Sequence, residues 1–168
     1  MDHELNHLHQ PIGALVPDWK APPHPQRKNL EGRFCRLEPL DPMRHAASLF
    51  EANSLDTSGR NWTYMAYGPF DAPACYRSWV EQECCGADPQ FYAIVDHAKG
   101  EAQGVASYMR ITPGSGSIEV GHINYSPLLQ RKRAATATMY PMMKRAFELG
   151  YRRYEWKGDA LNAPSRAA

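Results

Sequence analysis

The chain has 168 residues, of which 43% are hydrophobic and 22% charged, and its formal net charge is +1. That length suits one domain around a single core, and the apolar content is ordinary for a globular chain. The near-neutral balance argues against a general nucleic-acid binder, so any positive site has to be local.

No run approaches the ~20 apolar residues of a membrane span. The first twenty residues carry His and acidic groups where a signal peptide needs a basic start and an apolar run. The cysteines Cys35, Cys75, Cys84 and Cys85 form no C-x-x-C pair, so reduced thiols in a cytoplasmic protein are the expectation. Adjacent Cys84 and Cys85 are expected one in and one out at a helix end.

Residues 1–29 hold Pro11, Pro17, Pro22, Pro23 and Pro25 with little periodicity, and read as an extended arm, disordered or laid over the surface. His3, His7 and His9 have no Cys or carboxylate cluster beside them, so a solvated tail is preferred to a metal site, and no metal is expected. Residues 30–168 form the domain. "RFCRLEPL" predicts a strand, and "DPMRHAASLFEAN" a helix with Asp41 as cap, Pro42 at its first position, and Ala46, Leu49 and Phe50 buried. "GRNWTYMAYGPF" is an aromatic loop. "DAPACYRSWVEQECC" predicts a second capped helix with Tyr76, Trp79 and Val80 on one face.

"QFYAIVD", "GVASYMRITP" and "SIEVGHINYS" predict three strands joined by tight turns. A long helix follows, with Met139, Met142, Met143, Ala146 and Phe147 as its buried stripe and Gly150 as its C-cap. "RRYEWKG" alternates Arg153, Glu155 and Lys157 against Tyr154 and Trp156, giving a further strand. "DALNAPSRAA" opens a last helix with Asn162 as cap. The order β-α-α-β-β-β-α-β-α predicts an α+β fold: a mixed, mostly antiparallel central sheet with flanking helices.

Between the third of those strands and the long helix lies Gln130-Arg131-Lys132-Arg133. A helix N-terminus exposes unpaired N–H groups at the positive end of the helix dipole, so a basic cluster there can cradle a phosphate. The same residues also read as a solvated basic turn. Neither G-x-x-x-x-G-K-[ST] nor G-x-G-x-x-G occurs, which sets aside the nucleotide loops those patterns define.

The run "INYSP", "LLQRKRAA", amphipathic helix, strand, "NAPS" resembles the acetyl-CoA-binding half of a GNAT N-acetyltransferase. The likeness is closest to the ribosomal-protein N-terminal acetyltransferase branch, whose acceptor-side loop "GRNWTYMAYGPF" also resembles. The resemblance covers Leu30 to the end and implies the acyl-CoA N-acyltransferase fold. Gln130, Arg131, Lys132, Arg133, Ala134 and Ala135 fall on the family's Q/R-x-x-G-x-G/A pyrophosphate loop, whose amides from Arg131 to Ala135 would hold the phosphates. Ile123, Asn124 and Tyr125 would pair with the pantetheine arm in a wedge between strands, with Asn162 at its mouth.

The implied reaction is direct attack of a primary amine, a small molecule or a protein N-terminus, on acetyl-CoA as cosubstrate. The enzyme then has to deprotonate an ammonium and polarise a carbonyl. Glu119 is the candidate base. It is placed on one strand face with Gly121, Ile123 and Tyr125, while His122, on the other face, stands in reserve. An ordinary structural role remains open for each. Trp62, Tyr64 and Tyr67 are expected to line the acceptor pocket, with plain loop packing as the alternative.

Three features depart from the family pattern. Arg133 stands where a Gly is usual, and Pro141 interrupts the long helix at a cost of roughly 3 kcal/mol unless the helix kinks. The chain reaches Ala168 where the family continues through a helix and two more strands, which in many members carry a tyrosine acid. The expectation is therefore a fold whose C-terminal strands are missing, and a homodimer through the exposed edge of "RRYEWKG". A catalytically impaired coenzyme A-binding or interaction module is the alternative to an active transferase. Neither nucleic acid nor membrane is expected as a partner.

Overall fold

The computed structural model describes residues 4–167; His3 and Ala168 lie outside them. The arm carries a two-strand hairpin, β1 (Glu4–Leu5) with β2 (Pro11–Ile12), whose His7 and His9 are exposed. From Trp19 onward it lies on the domain. Pro22 and Pro25 are buried, the Tyr151 hydroxyl donates to the Pro23 carbonyl at 3.2 Å, and the Gln90 amide donates to Pro25 at 2.7 Å.

The central sheet has six strands in sequential order: β3 (Leu30–Glu31), β4 (Cys35–Pro39), β5 (Gln90–Asp96), β6 (Ala102–Thr112), β7 (Ser117–Tyr125) and β8 (Arg153–Trp156). All neighbours are antiparallel except β7 and β8, which are parallel because α3 (Arg133–Glu148) crosses between them. The predicted mixed, mostly antiparallel α+β sheet is therefore observed, with the short β3 added.

Period-two alternation divides the core. Tyr92 and Ile94 of β5 face α3, in one cluster with Leu37, Tyr108, Ile118, Val120 and Met142. Phe91, Ala93 and Val95 face α1 (Pro42–Ser54) and α2 (Pro73–Glu83), in a second cluster with Leu49, Trp62, Tyr76 and Val80. The Asp41 carboxylate caps α1 by accepting from the amides of Met43 and Arg44. In contrast to the capped helix predicted, α2 starts after Ala72 with no side-chain cap and only Pro73 in its first turn. Cys84 is buried and Cys85 exposed, one in and one out.

The buried face of α3 is rotated from the predicted stripe. Ala134, Ala135, Thr138, Pro141, Met142 and Ala146 point inward, while Met143 and Phe147 are exposed. Small residues make this face because the helix lies close over β3 and β4. The Thr138 hydroxyl is 3.4 Å from Cys35 Sγ, and the Pro141 ring lies beside Gly32. Pro141 thus sits within an unbroken helix, and its apolar ring fills that contact.

A β-bulge in β7 decides where the site residues point. Val105 pairs with Asn124 and Ser107 with Gly121, so His122 and Ile123 together oppose Ala106, and His122 takes a φ of +50°. The extra residue shifts the alternation by one. Ile123 and Tyr125 therefore join Ile118 and Val120 on the α3 face, whereas Glu119 and His122 share the opposite face. Both facing assignments from strict alternation are corrected: Glu119 does not share a face with Ile123 and Tyr125, and His122 is not opposite Glu119.

Candidate active site

β8 pairs with β7 only from Ser117 to Val120. Beyond Val120, β7 runs on to Tyr125 bonded to β6 alone, so a gap opens between β7 and β8 along Gly121–Tyr125. The chain then turns through Ser126, whose carbonyl accepts from the amides of Leu129 and Gln130, and enters α3. Arg131 holds the sharp corner with a φ of +59°; Arg133 is the first residue of α3.

The amides of this turn divide into two groups. Lys132 donates to Leu129 at 3.3 Å and Ala135 to Lys132 at 3.0 Å, while those of Arg131, Arg133 and Ala134 meet no acceptor among the described residues. Free N–H groups at a helix N-terminus can seat an anion. Arg131, Lys132 and Arg133 are all exposed. The Arg133 guanidinium lies 4.9 Å from the centre of the Phe34 ring, and Arg33 lies 5.2 Å from the same ring. Phe34 so ties two cations beside the turn by cation–π attraction. Sequence reading missed Arg33, because nothing in "GRFCRLE" announces a partner a hundred residues away.

On the side away from β6, the end of β7 is held by side chains rather than by a strand. The Tyr125 carbonyl accepts from Gln130 Nε2 at 2.8 Å and Asn61 Nδ2 at 3.3 Å, and Gln130 also donates to Asn61 Oδ1 at 2.8 Å. The Tyr125 ring lies under α3 with its hydroxyl donating to the Ala135 carbonyl at 3.1 Å. Asn124 is buried with both amide atoms unpartnered. Asn162 accepts from the Ser165 amide at 3.2 Å, capping the short α4 (Ala163–Arg166). The predicted acceptor residue Tyr64 is tied to the segment after β8, donating its hydroxyl to the Leu161 carbonyl at 3.0 Å.

Glu119 is buried yet engaged by two cations. It takes a two-point contact from Arg110, with Nε at 2.7 Å, and accepts from Lys157 Nζ at 3.0 Å. The Arg110 hydrogen bond in particular, aided by Lys157, holds its carboxyl below the usual carboxylate range. Such a carboxylate is a weak proton acceptor. His122 differs: burial, and then the Arg110 charge, push its pKa down and favour the neutral ring. Its Nδ1 lies 3.3 Å from the Tyr67 hydroxyl, and its ring stacks on Tyr67 and leans on Phe91 at 4.8 Å.

Tyr67 therefore meets His122, the reserve candidate. Trp62 does not: it is buried in the second core cluster, edge-on to Tyr67 and Phe70 at 6.1 and 5.6 Å.

No protein-family model and no curated protein matches the sequence. Solved structures do. A GCN5-related N-acetyltransferase from Brucella melitensis is 38% identical, with a TM-score of 0.87 over 90% of this chain and 69% of that one. A probable acetyltransferase of the GNAT family from Chromobacterium violaceum is 34% identical, with a TM-score of 0.84 over 94% of this chain and 79% of that one. RimJ from Mycobacterium smegmatis, in complex with CoA-disulfide, shares the fold at 19% identity, with a TM-score of 0.67 over 84% of this chain and 72% of that one.

The parted strands, the open helix N-terminus and these likenesses together define an acyl-transferring fold. The chain belongs to the GCN5-related N-acetyltransferase (GNAT) family. Among the described residues no helix is long and apolar enough to cross a membrane, and no three His, Cys, Asp or Glu side chains gather as a metal site would require.

Proposed function

We propose that this protein transfers an acetyl group from acetyl-CoA to a primary amine, carried by a small molecule or a protein N-terminus. The observation that carries the reading is the edge of β7 along Gly121–Asn124, which no strand pairs on the β8 side, leading into the free amides of Arg131, Arg133 and Ala134. Pantetheine is a chain of amides and suits an open strand edge; the pyrophosphate suits the helix N-terminus a turn later. Gln130, Lys132 and Ala135 belong to the same seat, the first as its brace and the others through the frame of the turn. Asn162 and Tyr64 stand across the gap at its mouth.

The amine attacks the thioester carbonyl directly, so nitrogen forms the new bond, the C–S bond breaks and a thiolate departs. In this reading His122 takes the proton from the ammonium, since its neutral ring lies on the β7 face that meets Tyr67. Glu119, the candidate named from sequence, acts through charge: with Arg110 and Lys157 it fixes the field around His122. Tyr67 orients the imidazole, and Trp62 backs Tyr67. The test is acetyl transfer from acetyl-CoA to an amine panel that includes peptide N-termini, with His122→Ala beside wild type. Wild-type turnover with loss in the variant supports the reading. Coenzyme A binding without turnover on any amine would leave the binding-module alternative standing.

A further inference from the structure

A second cleft lies behind the aromatic loop, on the side of Trp62 away from His122. It has a volume of about 210 Å³ and is bounded by the end of α1, the 56–71 loop and the start of α2. Its wall is a continuous run of rings. Phe50 meets Tyr76 at 6.4 Å, Tyr76 meets Phe70 at 5.1 Å edge-on, and Phe70 meets Trp62 at 5.6 Å edge-on. The polar groups that share the cleft include two carboxylates, half-buried Asp56 and exposed Asp71. No Lys, Arg or His lines it.

Asn53 carries the argument further. This side chain lines the cleft, is only 7% exposed, and its Oδ1 has no hydrogen-bond partner. A buried carbonyl oxygen left without a donor is costly, so the place asks for an N–H group from outside. Asp56 is already committed in part: its two oxygens accept from the Ser58 hydroxyl and the Asn61 amide, both at 2.8 Å. Those bonds hold the carboxylate in place with lone pairs to spare. An amide oxygen and two negative charges beside a wall of rings suit a cation with an apolar body.

We infer that this cleft binds an organic ammonium ion, with Asn53 Oδ1 and the carboxylates of Asp56 and Asp71 accepting its N–H groups and the rings enclosing its alkyl part. An inorganic cation would leave the apolar surface of the rings uncovered, and a neutral alcohol would gain nothing from the two charges. The site is separate from the His122 face and does not depend on acetyl transfer. It shares a wall with that face, because Trp62 touches Tyr67 and Tyr67 meets His122.

The test is a calorimetric titration of the full chain with n-butylammonium chloride in the absence of acetyl-CoA, with butan-1-ol as the neutral control. ¹H–¹⁵N spectra locate the bound ion. The expected result is a single site that the alcohol fills far more weakly, with shifts at the amides of residues 53–56 and 70–72 larger than at 121–124. Asn53→Leu removes the buried acceptor at similar volume and should weaken binding about tenfold. Asp71→Asn, at an exposed position that folding tolerates, should weaken it about threefold. Equal binding of the alcohol, shifts confined to 121–124, no binding at all, or unchanged affinity in both variants would each overturn the inference. The last two would mean that Asn53 is satisfied by water alone. Acetyl transfer to butylammonium by Asn53→Leu, measured separately, keeps a failure of this site distinct from a failure of the transferase reading.

Discussion

Reversing the charge of the turn before α3 gives the sharpest check on its role. Arg131 and Lys132 are exposed and flank the free amides of Arg131, Arg133 and Ala134. A unit charge in water at about 5 Å from a phosphate charge is worth roughly 0.8 kcal/mol, which screening at physiological salt cuts to about half. Changing a cation to an anion counts that figure twice, so Arg131→Glu with Lys132→Glu should cost about 2 kcal/mol, close to thirtyfold in affinity. The amides would remain, so binding should weaken rather than vanish. Isothermal calorimetry with coenzyme A at two salt concentrations separates the contributions: the loss should shrink at high salt, where the amides dominate. Lys144→Glu, on the same helix and paired with Glu148 at 3.7 Å, is the control and should leave affinity unchanged. A double variant that binds coenzyme A within threefold of wild type at low salt would return Arg131 and Lys132 to the solvated-turn reading.

Other outcomes follow from the remaining geometry. His122→Ala should lower kcat for acetyl transfer about a hundredfold with coenzyme A affinity nearly intact, and comparable kcat in a steady-state assay would remove His122 as the base. Because Glu119 raises the His122 pKa while Arg110 lowers it, Glu119→Gln should move the acid limb of the kcat/KM profile to lower pH; activity lost at every pH would instead make Glu119 the base. Gly68 has a φ of +77°, and an added Cβ there would run into the Trp62 ring. Gly68→Ala should therefore cost about 3 kcal/mol in denaturant melts, and a loss no greater than that of Gly86→Ala, whose surroundings are open, would contradict this. The outer edge of β8 pairs with no strand among the described residues, and Trp156 on it is 47% exposed. Such an edge recruits other chains, so light scattering on the 168-residue protein should find dimers or larger species, and a monodisperse monomer would refute that.

Much of the fold was legible because long periodic segments report their own faces. The Phe91/Ala93/Val95 and Tyr92/Ile94 alternation of β5 needs only period two, and Asp41-Pro42 before an apolar stripe announces α1 at its cap. The stripe of α3 misled because hydrophobicity was allowed to choose the face. Met143 and Phe147 are the larger residues, but the helix packs close over β3 and β4, and close approach selects Ala134, Thr138 and Pro141 instead. Tyr154 illustrates the converse. It shares the alternation of Trp156 in β8, yet it packs into the α3-side cluster near Phe147, at 6.4 Å, while Trp156 stays exposed.

The site was half legible for a related reason. Its anion seat is local: basic residues, a strand before and a helix after, all adjacent in sequence. Its proton chemistry depends on one extra residue in β7, and "VGHINY" carries no sign that His122 would take a positive φ. Without the bulge, His122 would have pointed toward α3 and Glu119 would have been the titratable group on the open face. With it, the histidine turns onto the Tyr67 side, and Glu119 lies among the cations of β6 and of the segment after β8. The same bulge ends the regular pairing of β7 just where β8 stops accompanying it. In the proposed reading one irregularity marks where the strand edge opens and turns the imidazole to the Tyr67 side, which ties the proposed binding geometry and the proposed chemistry to a single backbone feature. Deleting that feature is the direct way to separate them: removing His122 outright restores strict alternation with every other β7 side chain on its present face, so turnover should fall through loss of the imidazole while coenzyme A affinity in calorimetry is kept, and affinity lost together with turnover would refute the separation.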